Sequence, residues 1–73
     1  MNFIVLASLA YRQILNINVN RIEYLEDRES DDGIQYTRIY FSKENYVNVA
    51  EPIGIVQKCI EDLGGAFSVP GAH

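Results

Sequence analysis

Cys59 is the only cysteine and His73 the only histidine in a chain of 73 residues. A domain this short buries only about 60% of the surface that its unfolded chain exposes, and its core supplies roughly 3–5 kcal/mol. Natural chains of this length commonly add disulfides, a metal or association with another subunit. One cysteine cannot close an intramolecular disulfide, and a structural zinc site needs about four Cys or His ligands. The fold must therefore rest on one apolar core, with self-association as the remaining source of stability. With 48% hydrophobic and 22% charged residues, the composition is that of a globular domain.

Apolar periodicity divides the chain into short elements. Residues 3–8 form a continuous apolar run of strand length, which predicts a strand covered on both faces. After the break at Ala10-Tyr11-Arg12, Gln13 to Ile17 reads as its hairpin partner. Asn16, Asn18 and Asn20 alternate with Ile17 and Val19. Asparagine competes for nearby backbone groups, so a turn is expected near Asn18–Arg21. Ile22 to Glu26 resumes extended structure. Asp27 to Gly33 carries five ionisable side chains and ends in Asp32-Gly33, a hairpin turn pair. Ile34 to Phe41 is expected as the fourth strand, Ser42–Asn45 as a turn and Tyr46–Val49 as the fifth strand.

From Pro52 the period changes. Ile53, Val56, Ile60 and Leu63 lie at i, i+3, i+7 and i+10, one stripe of a helix. Pro52 suits the first helical position and Gly64 the left-handed position past the end. The expected fold is α+β: an antiparallel meander of four to five strands with one C-terminal amphipathic helix on one face. An SH3-like curled sheet is the alternative form. Residues 1–64 make one domain and residues 65–73 a tail, without internal repeats or linkers.

Charge narrows the classes of partner. Net charge is −4, and Arg12, Arg21, Arg28, Arg38, Lys43 and Lys58 are scattered along the chain, whereas nucleic-acid binders concentrate basic residues. Nucleic acid is not an expected partner. The run Phe3 to Ala10 has no preceding Lys or Arg and falls far short of the ~20 apolar residues of a membrane span. It reads as a strand, with no membrane insertion, and the expected compartment is the cytoplasm.

Three candidate chemistries and one surface emerge. Asp27, Glu29, Asp31 and Asp32 concentrate carboxylates as hard cations require, but lack the alternating acidic pattern of a calcium loop. The plain expectation is a solvated hairpin tip with no metal or other cofactor, and the alternative function is a small regulatory domain that binds a small ligand or a divalent cation at this hairpin. Glu23 and Glu26 have no nucleophile or oxyanion-stabilising loop nearby in sequence. Cys59 falls inside the helix and has no histidine to activate it, so it is expected to act as a small hydrophobe. No catalytic residues are therefore assigned. The surface is built from tyrosine: Tyr36 and Tyr40 share a strand face with Arg38. If Ile39, Phe41, Val47 and Val49 face the helix, Tyr24, Tyr36, Arg38 and Tyr40 cover the outer face of the sheet. Tyrosine and arginine are enriched in protein interfaces, so a homo-oligomer or a protein partner is expected there.

The stretch Ile17-Asn18-Val19-Asn20-Arg21-Ile22-Glu23-Tyr24-Leu25-Glu26, and later Val49-Ala50-Glu51-Pro52-Ile53-Gly54-Ile55-Val56, resembles the small flagellar FlbD (SwrD) family. That family shares an apolar-Asn then Ile-Glu-x-apolar-Glu stretch and a Val-x-Glu lead into a final helix. The likeness follows element order over residues 3–63. Leu9-Ala10-Tyr11 replaces the family's Leu-Asn-Gly turn, and the hairpin before Ile34 is longer and more charged. The family offers no catalytic residues to carry over. The resemblance implies a small accessory protein that acts through contacts, and no flagellar role is inferred from it.

Overall fold

The apolar opening of this chain pairs with its hairpin neighbour along one edge and, just past its end, touches a segment far away in sequence. In the computed structural model, which describes residues 2–63, β1 (Phe3–Ala7) pairs antiparallel with β2 (Ile14–Asn18). At its far end Ser8 bridges Val49, and Ala50 N donates to Ala7 O at 2.8 Å. A second sheet takes the order β3 (Tyr24–Glu29), β4 (Gln35–Tyr40) and β5 (Tyr46–Val49), all antiparallel. The chain is thus α+β with five strands, arranged as a two-stranded and a three-stranded sheet. It departs from a simple meander because β2 does not pair with β3. Asn18 Oδ1 accepts from Asn20 N at 3.0 Å and starts a one-turn 3-10 helix over Val19–Arg21. That turn buries Val19 and is followed by buried Ile22, so the chain changes direction where a hairpin would otherwise continue.

The last element is α1 (Ile53–Glu61). Pro52 lies one position earlier than expected, as the N-cap, and its carbonyl accepts from Val56 N at 3.1 Å. Without an N–H of its own, Pro52 loses nothing by standing where no intrahelical donor is needed. The apolar stripe faces inward at Val56 and Ile60, while Ile53 is half-buried and Leu63 is exposed. Gly64 and the tail lie outside the described residues. α1 packs against β1, β3 and β4. The core joins Ile4 and Leu6, Ile17, Val19, Ile22, Ile39, Val49, Val56 and Ile60, with Leu15, Leu25, Phe41, Val47 and Cys59 partly buried around it.

Two expectations are corrected. β1 is covered on one face only: Ile4 and Leu6 enter the core, but Phe3 and Val5 point outward and are exposed, as is Ile14 of β2. A continuous apolar run does not distinguish one covered face from two. The charged segment Asp27-Arg28-Glu29 belongs to β3 instead of the turn. Arg28 finds Tyr36 across the strand pair and Glu29 finds Gln35, so the ladder offers these charges partners. The turn shrinks to Ser30–Ile34. Gly33 adopts φ +82°, Gly33 N donates to Ser30 O at 2.9 Å and Ile34 N to Ser30 Oγ at 3.1 Å. A turn closed by one left-handed residue is a standard hairpin connection.

One polar clamp ties helix, sheet and first strand together. Thr37 is fully buried on the core side of β4 and its hydroxyl donates to Glu51 O at 2.8 Å. Both carboxylate oxygens of Glu51 accept from Ala7 N at 3.1 Å. Glu51 therefore joins the end of β1 to the residues that lead into α1, satisfying a strand-end donor that burial would otherwise penalise.

Candidate interaction face

Side chains alternate along a strand, so the register of β3, β4 and β5 sorts their residues into two faces. Leu25, Ile39 and Val47 form one cross-strand row and Asp27, Thr37 and Val49 another, on the side of the core and α1, with Asp27 exposed at the sheet edge. The opposite face carries Tyr24, Tyr40 and Tyr46 in one row, Glu26, Arg38 and Asn48 in the next, and Arg28 with Tyr36 in the third. Of the expected contact residues, Tyr24, Tyr36, Arg38 and Tyr40 do share this face.

Their environments differ. The Tyr24 and Tyr40 rings stack with centroids 4.3 Å apart at 17°, and Tyr46 leans on Tyr40 at 5.4 Å and 55°. The Arg38 guanidinium lies 4.1 Å above the Tyr46 ring while its Nε donates to Asn48 Oδ1 at 2.9 Å. Stacking on one side and a fixed hydrogen bond on the other orient this guanidinium before any partner arrives. Tyr24 is 39% and Tyr46 46% exposed, with Tyr40 and Arg38 half-buried. Tyr36 is only 8% exposed, and its hydroxyl accepts from Arg28 Nε at 3.3 Å. It holds Arg28 in place and offers a partner little area.

Glu26 is the electrostatic hub. Its Oε1 accepts from Arg28 Nη1 at 2.8 Å and from the Tyr40 hydroxyl at 3.1 Å. These contacts, with the Arg28 hydrogen bond foremost, hold the Glu26 carboxyl below its ordinary range. Arg28 is raised in turn, first by Glu26 and then by Tyr36. Arg38 is raised chiefly through the Tyr40 hydroxyl. Desolvation in the stack, followed by the nearby Tyr40, Glu26 and Glu23, pushes the Tyr24 phenol up. Arg28–Glu26 is the one ion pair among the described residues, and Arg38, directly across from Glu26, adds a weaker charge interaction with the same carboxylate.

Sequence reasoning missed Glu26, Arg28, Asn48 and Tyr46 as members of this face. Tyr46 and Asn48 follow from period two in β5 once the Tyr40–Tyr46 register is known. Arg28 was hidden by assigning Asp27–Gly33 to the turn. The basic residues, which look scattered along the chain, include two that converge here.

The other candidates remain separate from it. Asp27 and Glu29 are exposed along β3 and Asp31 and Asp32 at the β3–β4 turn, and among the described residues no group of three or more His, Cys, Asp and Glu side chains could hold a metal ion. Glu29 accepts from Gln35 Nε2 at 3.0 Å. Cys59 is half-buried against the core. No helix among the described residues is long and apolar enough to cross a membrane. No family model, curated protein or solved structure matches the chain.

Proposed function

We propose that the chain is a non-enzymatic contact module of the cytoplasm, with the outer face of β3, β4 and β5 as its working surface. The observation that supports this reading is the ordered, part-exposed array of Tyr24, Tyr40, Tyr46 and Arg38. It lies on the face opposite the one that meets the core. Rigid aromatic rings contribute large contact area at low entropic cost, and an oriented arginine adds directional polar recognition. A protein surface suits such a face better than nucleic acid does. Glu26 neutralises Arg28, and the chain as a whole is acidic, so little counterion release is available. The resemblance to the FlbD (SwrD) family points the same way, toward an accessory protein that acts by binding.

Crosslinking with the intact chain as bait, repeated with Tyr24→Ser/Tyr46→Ser, tests the reading. Both rings are exposed, so the variant is expected to keep its circular dichroism and melting curve while losing its crosslinked partners. A folded variant that retains every partner would show that binding occurs elsewhere.

A further inference from the structure

The outer face has a charge preference, and a segment that satisfies it stands at the far end of the same hairpin. Arg28 forms an ion pair with Glu26, whereas Arg38, directly across the strand pair from Glu26 and within reach of its charge, makes no ion pair of its own among the described residues. Its planar fork rests on Tyr46, is anchored through Nε and lies beside the Tyr40 hydroxyl, so its terminal N–H groups are the donors that an incoming carboxylate would meet. The β3–β4 tip carries Asp31 and Asp32, two adjacent exposed carboxylates in a chain whose whole net charge is −4. Asp31 and Asp32 occupy the central positions of a turn held by Ser30 N to Ile34 O at 2.9 Å and Gly33 N to Ser30 O at 2.9 Å. They are therefore presented on a fixed support.

We propose that the occupant of the tyrosine face is the acidic hairpin tip of a second copy of this chain, with Arg38 of each copy receiving Asp31 and Asp32 of the other. This inference rests on the reading of the outer face as a contact surface and adds the identity of what it contacts. A two-fold pairing forms the contact twice, because each copy supplies both a tip and a face, and so closes as a dimer without open-ended growth. Exposed ion pairs are individually weak and screened by salt. The association is therefore expected at low ionic strength and high protein concentration, with the tyrosine rings providing the apolar area beside the charges. A chain of 73 residues with one cysteine and one histidine gains from such an association the support that a staple would otherwise give.

Sedimentation equilibrium over a dilution series at low salt tests this on the full chain, with Arg38→Glu, with Asp31→Lys/Asp32→Lys and with an equimolar mixture of the two variants. The wild type is expected to dimerise, and each variant alone to associate at least tenfold more weakly. The mixture is expected to recover dimer, because each face again meets a tip of opposite charge. Circular dichroism confirms folding, and Arg38→Gln replaces Arg38→Glu should the charge reversal unfold the sheet. A wild type that stays monomeric throughout, a dimer untouched by Asp31→Lys/Asp32→Lys, or a mixture that fails to recover would overturn the proposal. A monomeric wild type whose crosslinked partners still depend on Tyr24 and Tyr46 would end the self-docking idea alone and leave the contact-module reading standing.

Discussion

Replacing Ile60 by alanine is the sharpest test of how α1 holds the sheet. Ile60 is 1% exposed and sits in the central cluster with Ile39 and Val56, whereas Ile55, on the same helix, is 49% exposed. Ile60→Ala removes three carbons. At about 0.8 kcal/mol per buried methylene the lost transfer energy is roughly 2.4 kcal/mol, and the residual cavity adds on the order of 1 kcal/mol where the helix settles only partly into the gap. A loss of about 3 kcal/mol approaches the entire stability expected of a domain this small. Urea unfolding followed by circular dichroism should therefore show Ile60→Ala with its midpoint lowered by roughly 2–3 M, given a slope near 1 kcal/mol/M. Ile55→Ala should stay within about 0.5 kcal/mol of wild type. Equal effects at the two positions, or an Ile60→Ala variant as stable as its parent, would refute the packing of α1 through Val56 and Ile60.

Other perturbations report on single contacts. Gly33→Ala meets only Glu29 Oε2 at 3.9 Å, so its cost is that of φ +82° alone, about 1–2 kcal/mol in thermal unfolding. Arg12 holds φ 55° without being glycine, and Arg12→Gly should stabilise the β1–β2 turn by about 0.5 kcal/mol, the relief of strain less the added chain entropy. Glu51→Ala leaves Ala7 N without its acceptor and should cost about 1–2 kcal/mol, with faster hydrogen exchange at that amide. Because Glu26 is held below its ordinary value of 4.5, its contribution is present above that pH and fades as pH falls through the lowered folded value. The melting temperature of Glu26→Gln should therefore lie below wild type at pH 7 and converge with it in acid.

Much of the architecture was legible because its causes are local. The stripe of Val56 and Ile60, the asparagine-rich turn after Ile17, and the Asp32-Gly33 turn pair each act within a few residues of the chain. What was not legible depends on partners distant in sequence. β5 reaches back to Ser8 across forty-one positions, and no periodicity in either segment announces that bridge. The clamp from Glu51 to Ala7 is equally non-local. The tyrosine face was half visible. Alternation along β4 places Tyr36, Arg38 and Tyr40 together, but the closeness of Tyr24 and Tyr46 depends on register. Tyr36 is shielded in the row it shares with Arg28, a residue that charge content alone assigned to a loop.

Solvent accessibility of individual tyrosine rings, read by NMR with a soluble paramagnetic agent in dilute and in concentrated samples, tests the outer face most directly. In dilute protein Tyr24 and Tyr46 should relax strongly beside exposed Tyr11, while Tyr36 is protected. On concentration Tyr24 and Tyr46 should become protected as Tyr11 stays open. Rings of Tyr24 and Tyr46 that are already shielded in the dilute monomer would contradict the account at its centre.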